Sequence, residues 1–387
     1  MKNKNVIALK GLFVVILLSL FVLTGYTQFE NHPYHFQDIR KIRTTPVKNQ
    51  QRTGTCWCFA TTSFVETEIL RQGGPVLNLS EMFTVRHTYE HKGELYVRFH
   101  GLANFGPGGQ AHDVINVIRK YGFVPEEVYP GKNYGDTIHN HSELNKVLNA
   151  YLDAVVKNRK LTTAWSRGYL SVLDVYLGKN PEIFTWEGKK YTPASFRDHF
   201  HFNPDDYVEL TSYTHHPFYS RFDLEVPDNW MHDLFYNLPM NELMDVVNYA
   251  LDHGFCVAWD GDVSEKGFSH KNGVAILPEK PWEAMSKTEV DSAFKHPVKE
   301  LEVTQAMRQK TFDDYETTDD HLMLLVGTGK DENGTLYYLT KNSWGTKSNK
   351  YGGYLFMSEP FVKLKTLAIM VHKDALPKNI RKKLGLK

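Results

Sequence analysis

Pro46-Val47-Lys48-Asn49-Gln50-Gln51-Arg52-Thr53-Gly54-Thr55-Cys56-Trp57-Cys58-Phe59-Ala60 is the stretch from which the rest of the chain can be read. A glycine-containing loop runs into a segment where Trp57, Phe59, Ala60, Phe64, Val65, Ile69 and Leu70 recur at helical spacing. Gly73-Gly74-Pro75 then ends the pattern, two permissive residues followed by one that cannot continue a helix. The spacing predicts a helix over 55–72 with Cys56 in its first turn. Unpaired N–H groups and the positive end of the helix dipole gather there, and both favour thiolate over thiol. A thiolate is a competent nucleophile. A cysteine that packs as a small hydrophobe at a helix start reads the same way until a base is found.

Asp320-His321-Leu322-Met323-Leu324-Leu325-Val326-Gly327 supplies that base. His321 opens an apolar strand, which holds its ring on a rigid element. Beyond a turn at Asp331-Glu332-Asn333-Gly334, the next strand ends in Lys341-Asn342-Ser343-Trp344-Gly345. The Asn342 side-chain oxygen can accept the remaining imidazole N–H and so fix tautomer and orientation. Trp344 can shield that bond from water. Taken singly these are a core histidine, a turn asparagine and a packing tryptophan. Together with Cys56 they make a nucleophile, a base and an orienter.

Gln50-x5-Cys56-Trp57, Asp320-His321 and Asn342-Ser343-Trp344-Gly345 resemble the papain superfamily of cysteine peptidases, and Gly108-Gly109 matches its substrate-binding glycine pair. The resemblance implies Cys56 as nucleophile, His321 as general base and acid, and Asn342 as orienter. It implies Gln50 as an oxyanion donor beside the Cys56 backbone N–H, and Gly108, Gly109, Asp320 and Trp344 as the substrate-facing positions. Within the superfamily the text is similar to the bleomycin hydrolase and bacterial aminopeptidase C branch over nearly the whole chain. Cys56 and His321 lie 265 positions apart, where papain-like enzymes need only ~130–150. The inserted text includes Leu177-Gly178-Lys179-Asn180-Pro181 and Thr192-Pro193-Ala194-Ser195-Phe196, and resembles that branch.

The fold expected is α+β: a two-lobed papain-like peptidase, helical on the side of Cys56 and antiparallel β on the side of His321 and Asn342. A mainly helical insertion is expected over about 130–235, and a short tail over 373–387. The resemblance implies peptide substrates, aminopeptidase action, no metal or organic cofactor, and a homo-oligomer, a hexamer in that branch. In the branch a C-terminal arm lies in the cleft and its carboxylate receives the substrate's amino group. Pro377-Lys378-Asn379-Ile380 to Lys387 reads as too short for that arm, which keeps endopeptidase action open. A catalytically silent peptide-binding relative is the third reading.

The chain has 387 residues with 45 basic and 45 acidic side chains and 41% apolar residues. That suffices for a large core and excludes a disordered protein. A net charge of zero also argues against nucleic acid as a partner, because polyanion affinity needs a concentrated basic surface. Three cysteines make no disulfide scaffold. Lys2, Lys4 and Lys10 precede an apolar run from Gly11 to Leu23, followed by Thr24-Gly25-Tyr26-Thr27, the pattern of a secretory signal peptide over 1–27. Export to the periplasm or exterior is therefore expected, with a retained signal anchor as the alternative. Cleavage would leave 42 basic against 45 acidic residues, a charge of −3.

Several features carry weaker readings. Cys58 and Cys256 are expected to pack in the core. His87-x3-His91 has the spacing of two metal ligands but reads as a solvated helix face, and His139, His141, His215 and His216 read as surface loops.

Overall fold

The computed structural model describes residues 29–135 and 137–386. The expected leader over 1–27 lies outside the described residues. Eleven α-helices are present among those residues. In chain order they are α1 (Cys56–Arg71), α2 (Glu81–Arg98), α3 (Ala111–Tyr121), α4 (Ser142–Val156), α5 (Ala164–Leu177), α6 (Pro193–His199), α7 (Met240–Asp252), α8 (Lys287–Ala293), α9 (Gln305–Asp313), α10 (Glu359–Lys365) and α11 (Lys378–Lys383). The strands are β1 (Gln37–Lys41), β2 (Phe184–Trp186), β3 (Lys189–Tyr191), β4 (Tyr207–Thr211), β5 (Arg221–Asp223), β6 (Leu234–Asn237), β7 (Val257–Gly261), β8 (Phe268–Ser269), β9 (Val274–Ala275), β10 (His321–Lys330), β11 (Leu336–Lys341), β12 (Tyr354–Ser358) and β13 (Thr366–His372).

Eleven strands form one sheet in the order β5-β6-β4-β13-β7-β10-β11-β12-β9-β8, with β1 pairing the far half of β10. β10 is the central strand. It pairs antiparallel with β7, placing Leu322 opposite Asp260 and His321 opposite Gly261. On its other edge it pairs antiparallel with β11, whose last residue Lys341 delivers Asn342 beside His321. Side chains alternate across the sheet. Leu322, Leu324 and Val326 face the core that contains Trp57, Phe64 and Val65 of α1. Met323 and Leu325 face the opposite core with Leu243, Val246 and Val247 of α7. The α1 helix is thus clamped against one face and α7 against the other.

Buried ion pairs tie the loop before α1 to this frame. Lys48 Nζ donates to Glu66 Oε1 at 2.9 Å, to Glu81 Oε1 at 2.6 Å and to the Leu79 carbonyl at 2.8 Å. From the sheet side, Lys341 Nζ donates to the Thr45 carbonyl at 2.7 Å and to Ser63 Oγ at 2.6 Å. The two lysines lock the loop carrying Gln50 between α1, α2 and β11.

The inserted segment needs one correction. It is helical through α4, α5 and α6, with the short β2–β3 hairpin between α5 and α6. From Tyr207 onward it returns to the main sheet as β4, β5 and β6, so it is not helical to its end. These strands are short, and β4 takes its partners, β13 and β6, from elsewhere in the chain. The tail over 378–386 forms α11 and packs Ile380, Leu384 and Leu386 on the α7 face of the sheet, away from α1.

Candidate active site

Cys56 is the first residue of α1 and is partly exposed. The N–H groups of Cys58 and Phe59 both turn back to the Thr55 carbonyl, at 3.0 and 3.2 Å. The Cys56 N–H belongs to the first-turn donors that helix geometry leaves without an intrahelical partner. Two backbone N–H groups approach the Cys56 sulfur, those of Trp57 and Leu322. Leu322 follows His321 on β10, so this contact brings the start of β10 to the thiol.

His321 is buried. Its Nε2–H donates to Asn342 Oδ1 at 2.8 Å, which leaves Nδ1 unprotonated in the neutral ring. Asn342 Oδ1 also accepts the Ser343 N–H at 2.7 Å, and its Nδ2 donates to His270 Nδ1 at 3.3 Å. His270 in turn donates from Nε2 to Ser348 Oγ at 2.8 Å. Burial, then the nearby His321, lowers His270 to about 4 and keeps it the neutral acceptor that this chain of bonds requires. The Trp344 ring lies 5.0 Å from the His321 ring and 4.8 Å from the His270 ring, covering the bonds between them. His270 was not legible in the sequence. It sits in a polar turn far from both strands, and only the fold brings it to Asn342.

Gln50 Oε1 accepts from Ser343 Oγ at 2.7 Å, and its Nε2 donates to the Thr53 carbonyl at 3.0 Å. The hydroxyl fixes which end of the amide carries the nitrogen. One Nε2–H is engaged by Thr53 and the second remains as a donor near the helix start. Gln50→Ala is expected to lower kcat by about 10²–10³-fold with a smaller change in KM, the signature of a donor that acts in the transition state. Steady-state rates on a fluorogenic peptide check this.

Gly108 and Gly109 precede α3, and both positions exclude a side chain. A Cβ on Gly108 would fall 1.9 Å from Asp228 Oδ2, and one on Gly109 would fall 2.5 Å from Asp113 Oδ2 and 3.0 Å from the Trp57 ring. The space a side chain would need is filled by Asp228, Asp113 and Trp57, so glycine is what lets these side chains pack against the turn, and Gly109 itself is buried. Lys92 Nζ holds the turn by donating to the carbonyls of Gly106 and Gly108. Asp320 is exposed and fixes the loop beside His321. Its Oδ2 accepts the N–H groups of Ser264 at 3.0 Å and Val263 at 3.2 Å.

Burial dominates the electrostatics. It pushes the Cys56 thiol up to about 12, opposed by the Leu322 N–H and reinforced by Asp319 and Asp260. It lowers His321 to about 4 against the bond to Asn342. Each group alone therefore resists charge. A proton passing from sulfur to Nδ1 would create two opposite charges that compensate each other. The arrangement can deliver a thiolate at the moment of attack and return the proton to a leaving group.

Of the other histidines, His87, His139 and His141 differ from their sequence reading, and His215 and His216 match it. His87 is buried and stacks on Tyr121 at 3.8 Å, so its helix face is packed against α3 rather than solvated. His139 and His141 are buried too. Backbone bonds through Arg52 draw their loop onto the molecule, at 3.0 Å from the Arg52 N–H to the His139 carbonyl and 3.1 Å from the His141 N–H to the Arg52 carbonyl. His215 and His216 lie at the surface, where each Nε2 meets a Glu225 oxygen, at 3.0 and 2.7 Å. Gln309 Nε2 donates to His215 Nδ1, which puts the His215 proton on Nε2 and makes that atom a donor to Glu225 rather than a metal ligand. Cys58 and Cys256 are fully buried, and Cys58 donates to the Glu81 carbonyl at 3.3 Å.

The model of the Peptidase C1-like family matches residues 85–386, the segment that carries His321 and Asn342. The chain belongs to that family. Aminopeptidase G of Lactobacillus delbrueckii subsp. lactis is 26% identical, over 88% of this chain and 83% of its own length. Human bleomycin hydrolase is 22% identical, over 87% and 82%. Among solved structures, PepW of Lactobacillus rhamnosis HN001 aligns with a TM-score of 0.69 at 21% identity, covering 90% of this chain and 84% of that one. The last likeness establishes the papain-like α+β fold for this C1-like chain.

Proposed function

We propose that this chain is a cysteine-type aminopeptidase of the bleomycin hydrolase kind, with Cys56 as nucleophile, His321 as base and acid, Asn342 as orienter and Gln50 as oxyanion donor. The observation that carries the chemistry is the 2.8 Å bond from His321 to Asn342 on the strand whose next N–H meets the Cys56 sulfur. Aminopeptidase action is supported by the relatives named aminopeptidase G and aminopeptidase W. The Cys56 sulfur attacks the carbonyl carbon of the first peptide bond as its proton passes to His321 Nδ1. The Gln50 Nε2–H and the Cys56 N–H receive the negative oxygen. Collapse breaks the C–N bond, and His321 gives its proton to the departing amine. Water, losing a proton to His321, then attacks the thioester and releases the amino acid and the free thiol.

One peptide offered with a free and with an acetylated amino terminus tests the reading. The free form should be cleaved at least about 10²-fold better in kcat/KM, the scale of one lost charge pair. Equal cleavage would make the enzyme an endopeptidase. Packing of α11 on the α7 face, away from Cys56, is what favours that second reading. We also infer export, supported by the basic and apolar pattern of residues 1–27. Assembly as a hexamer is supported by the resemblance to the bleomycin hydrolase branch alone.

A further inference from the structure

An aminopeptidase must hold an ammonium group close to its nucleophile. The α-nitrogen of the first residue lies two bonds, about 2.5 Å, from the carbonyl carbon that the sulfur attacks. Its receptor must therefore be an anion beside Cys56. The chain's own tail packs on the other face of the sheet through Ile380, Leu384 and Leu386.

Two side-chain carboxylates reach the sulfur with their charge, Asp319 and Asp260. Asp260 stands on β7 directly opposite Leu322, on the sheet face that meets α1. It is 3% exposed, and neither carboxylate oxygen accepts a well-formed hydrogen bond. Asp319 lies two residues before His321, is partly exposed, and accepts Gln110 Nε2 on Oδ2 at 2.8 Å. Gln110 follows Gly109 and opens α3, so the acid pair sits beside the glycine edge. Asp228 packs against Gly108. The cation set among these acids is Lys92, and its ammonium is held by the Gly106 and Gly108 carbonyls.

A buried carboxylate without donors is costly, and two side by side are costlier. Burial, then Asp228, raises Asp319 to about 7, and burial, then Asp319, raises Asp260 well above the usual carboxylate range. The empty pair therefore keeps a proton. An entering ammonium supplies a positive charge to the pair and N–H donors to Asp260, whose oxygens accept no well-formed bond.

We infer that Asp260 and Asp319 form the receptor for the substrate's α-ammonium group and thereby set the position of cleavage one residue from the amino terminus. This rests on the aminopeptidase reading. Gln110 is the positioning residue, since its amide orients Asp319 toward the glycine edge. Asp319, the more open of the two, meets the ammonium first, and Asp260 closes beneath it.

The test uses the full enzyme, three variants (Asp319→Asn, Asp260→Asn and Asp319→Glu) and one peptide with free or acetylated terminus. A third peptide is acetylated and carries lysine at the residue preceding the scissile one. In the wild type, the free-to-acetylated ratio of kcat/KM tests aminopeptidase action by itself. In Asp319→Asn that ratio should fall about 10²-fold, mostly through KM for the free form, and Asp319→Glu should restore at least a tenth of it. Asp260→Asn should lower it in the same direction. An unchanged ratio in a variant of wild-type melting temperature overturns the inference while leaving aminopeptidase action standing. A fall confined to the acetylated lysine peptide also overturns it, because the pair would then receive a basic side chain. A variant that does not fold leaves the other two to decide.

Discussion

Cys56→Ala is expected to lower kcat/KM for a peptide by about 10⁵-fold or more, and His321→Ala by a similar amount. The double variant should be no slower than either alone, because sulfur and imidazole act as one proton-exchanging unit. The expectation follows from the resting state. Burial holds the thiol at about 12, so without His321 to take the proton almost no thiolate exists near neutral pH. Without the sulfur, His321 has no nucleophile to serve. Background hydrolysis by water in the oxyanion site is all that remains.

The same unit is visible without substrate. Cys58 and Cys256 are fully buried, so iodoacetamide should modify a single residue, Cys56. His321→Ala should slow that alkylation at least about tenfold. The substitution should not unfold the site, since Asn342 Oδ1 keeps the Ser343 N–H at 2.7 Å. Wild-type hydrolysis by Cys56→Ala, or alkylation indifferent to His321, would remove the thiol mechanism altogether.

The readable parts of this site are those whose signal is local. The α1 helix was visible because its apolar spacing and its Gly73-Gly74-Pro75 stop sit in one window, and it runs over Cys56–Arg71 as expected. Ser80 caps α2 by accepting the Phe83 N–H, a local signal of the same kind. His321 and Asn342 lie at the ends of two strands joined by a short turn, so their meeting needs only one antiparallel pairing. The family motifs carried the rest of the machinery.

What stayed hidden depends on pairings between distant segments. Asp260 takes its meaning from standing opposite Leu322 on a neighbouring strand. Nothing near it in the sequence says that Asp319 will share its pocket. His139 and His141 sit in polar text that reads as surface, yet backbone bonds to Arg52 carry them inside. β4 and β6 are short and pair in parallel, each with a partner set by chain crossing, which local alternation cannot reveal.

Lys48→Met is expected to be the most destabilising single change in the scaffold around the site, by about 3–5 kcal/mol near neutral pH. Methionine matches the length of the stem but leaves Glu66 and Glu81 without the ammonium that bridges them at 2.9 and 2.6 Å. Glu66 retains the Thr45 hydroxyl at 2.6 Å and the Leu79 N–H at 2.8 Å, so Glu81 bears most of the loss. The sign with pH follows from that. Burial, opposed by Lys48, already raises Glu81 above the ordinary carboxylate value. Losing the lysine raises it further, and a raised acid loses stability as pH rises through its folded pKa. The difference between variant and wild type should therefore widen from pH 5 to pH 8, and urea melts at both values measure it. Glu81→Gln added to Lys48→Met should recover part of the loss at pH 8, because a neutral amide needs no counter-charge. A deficit under 1 kcal/mol at both pH values would mean that the loop carrying Gln50 is held by its backbone contacts instead, among them the 2.8 Å bond from the Gln50 N–H to the Ser343 carbonyl.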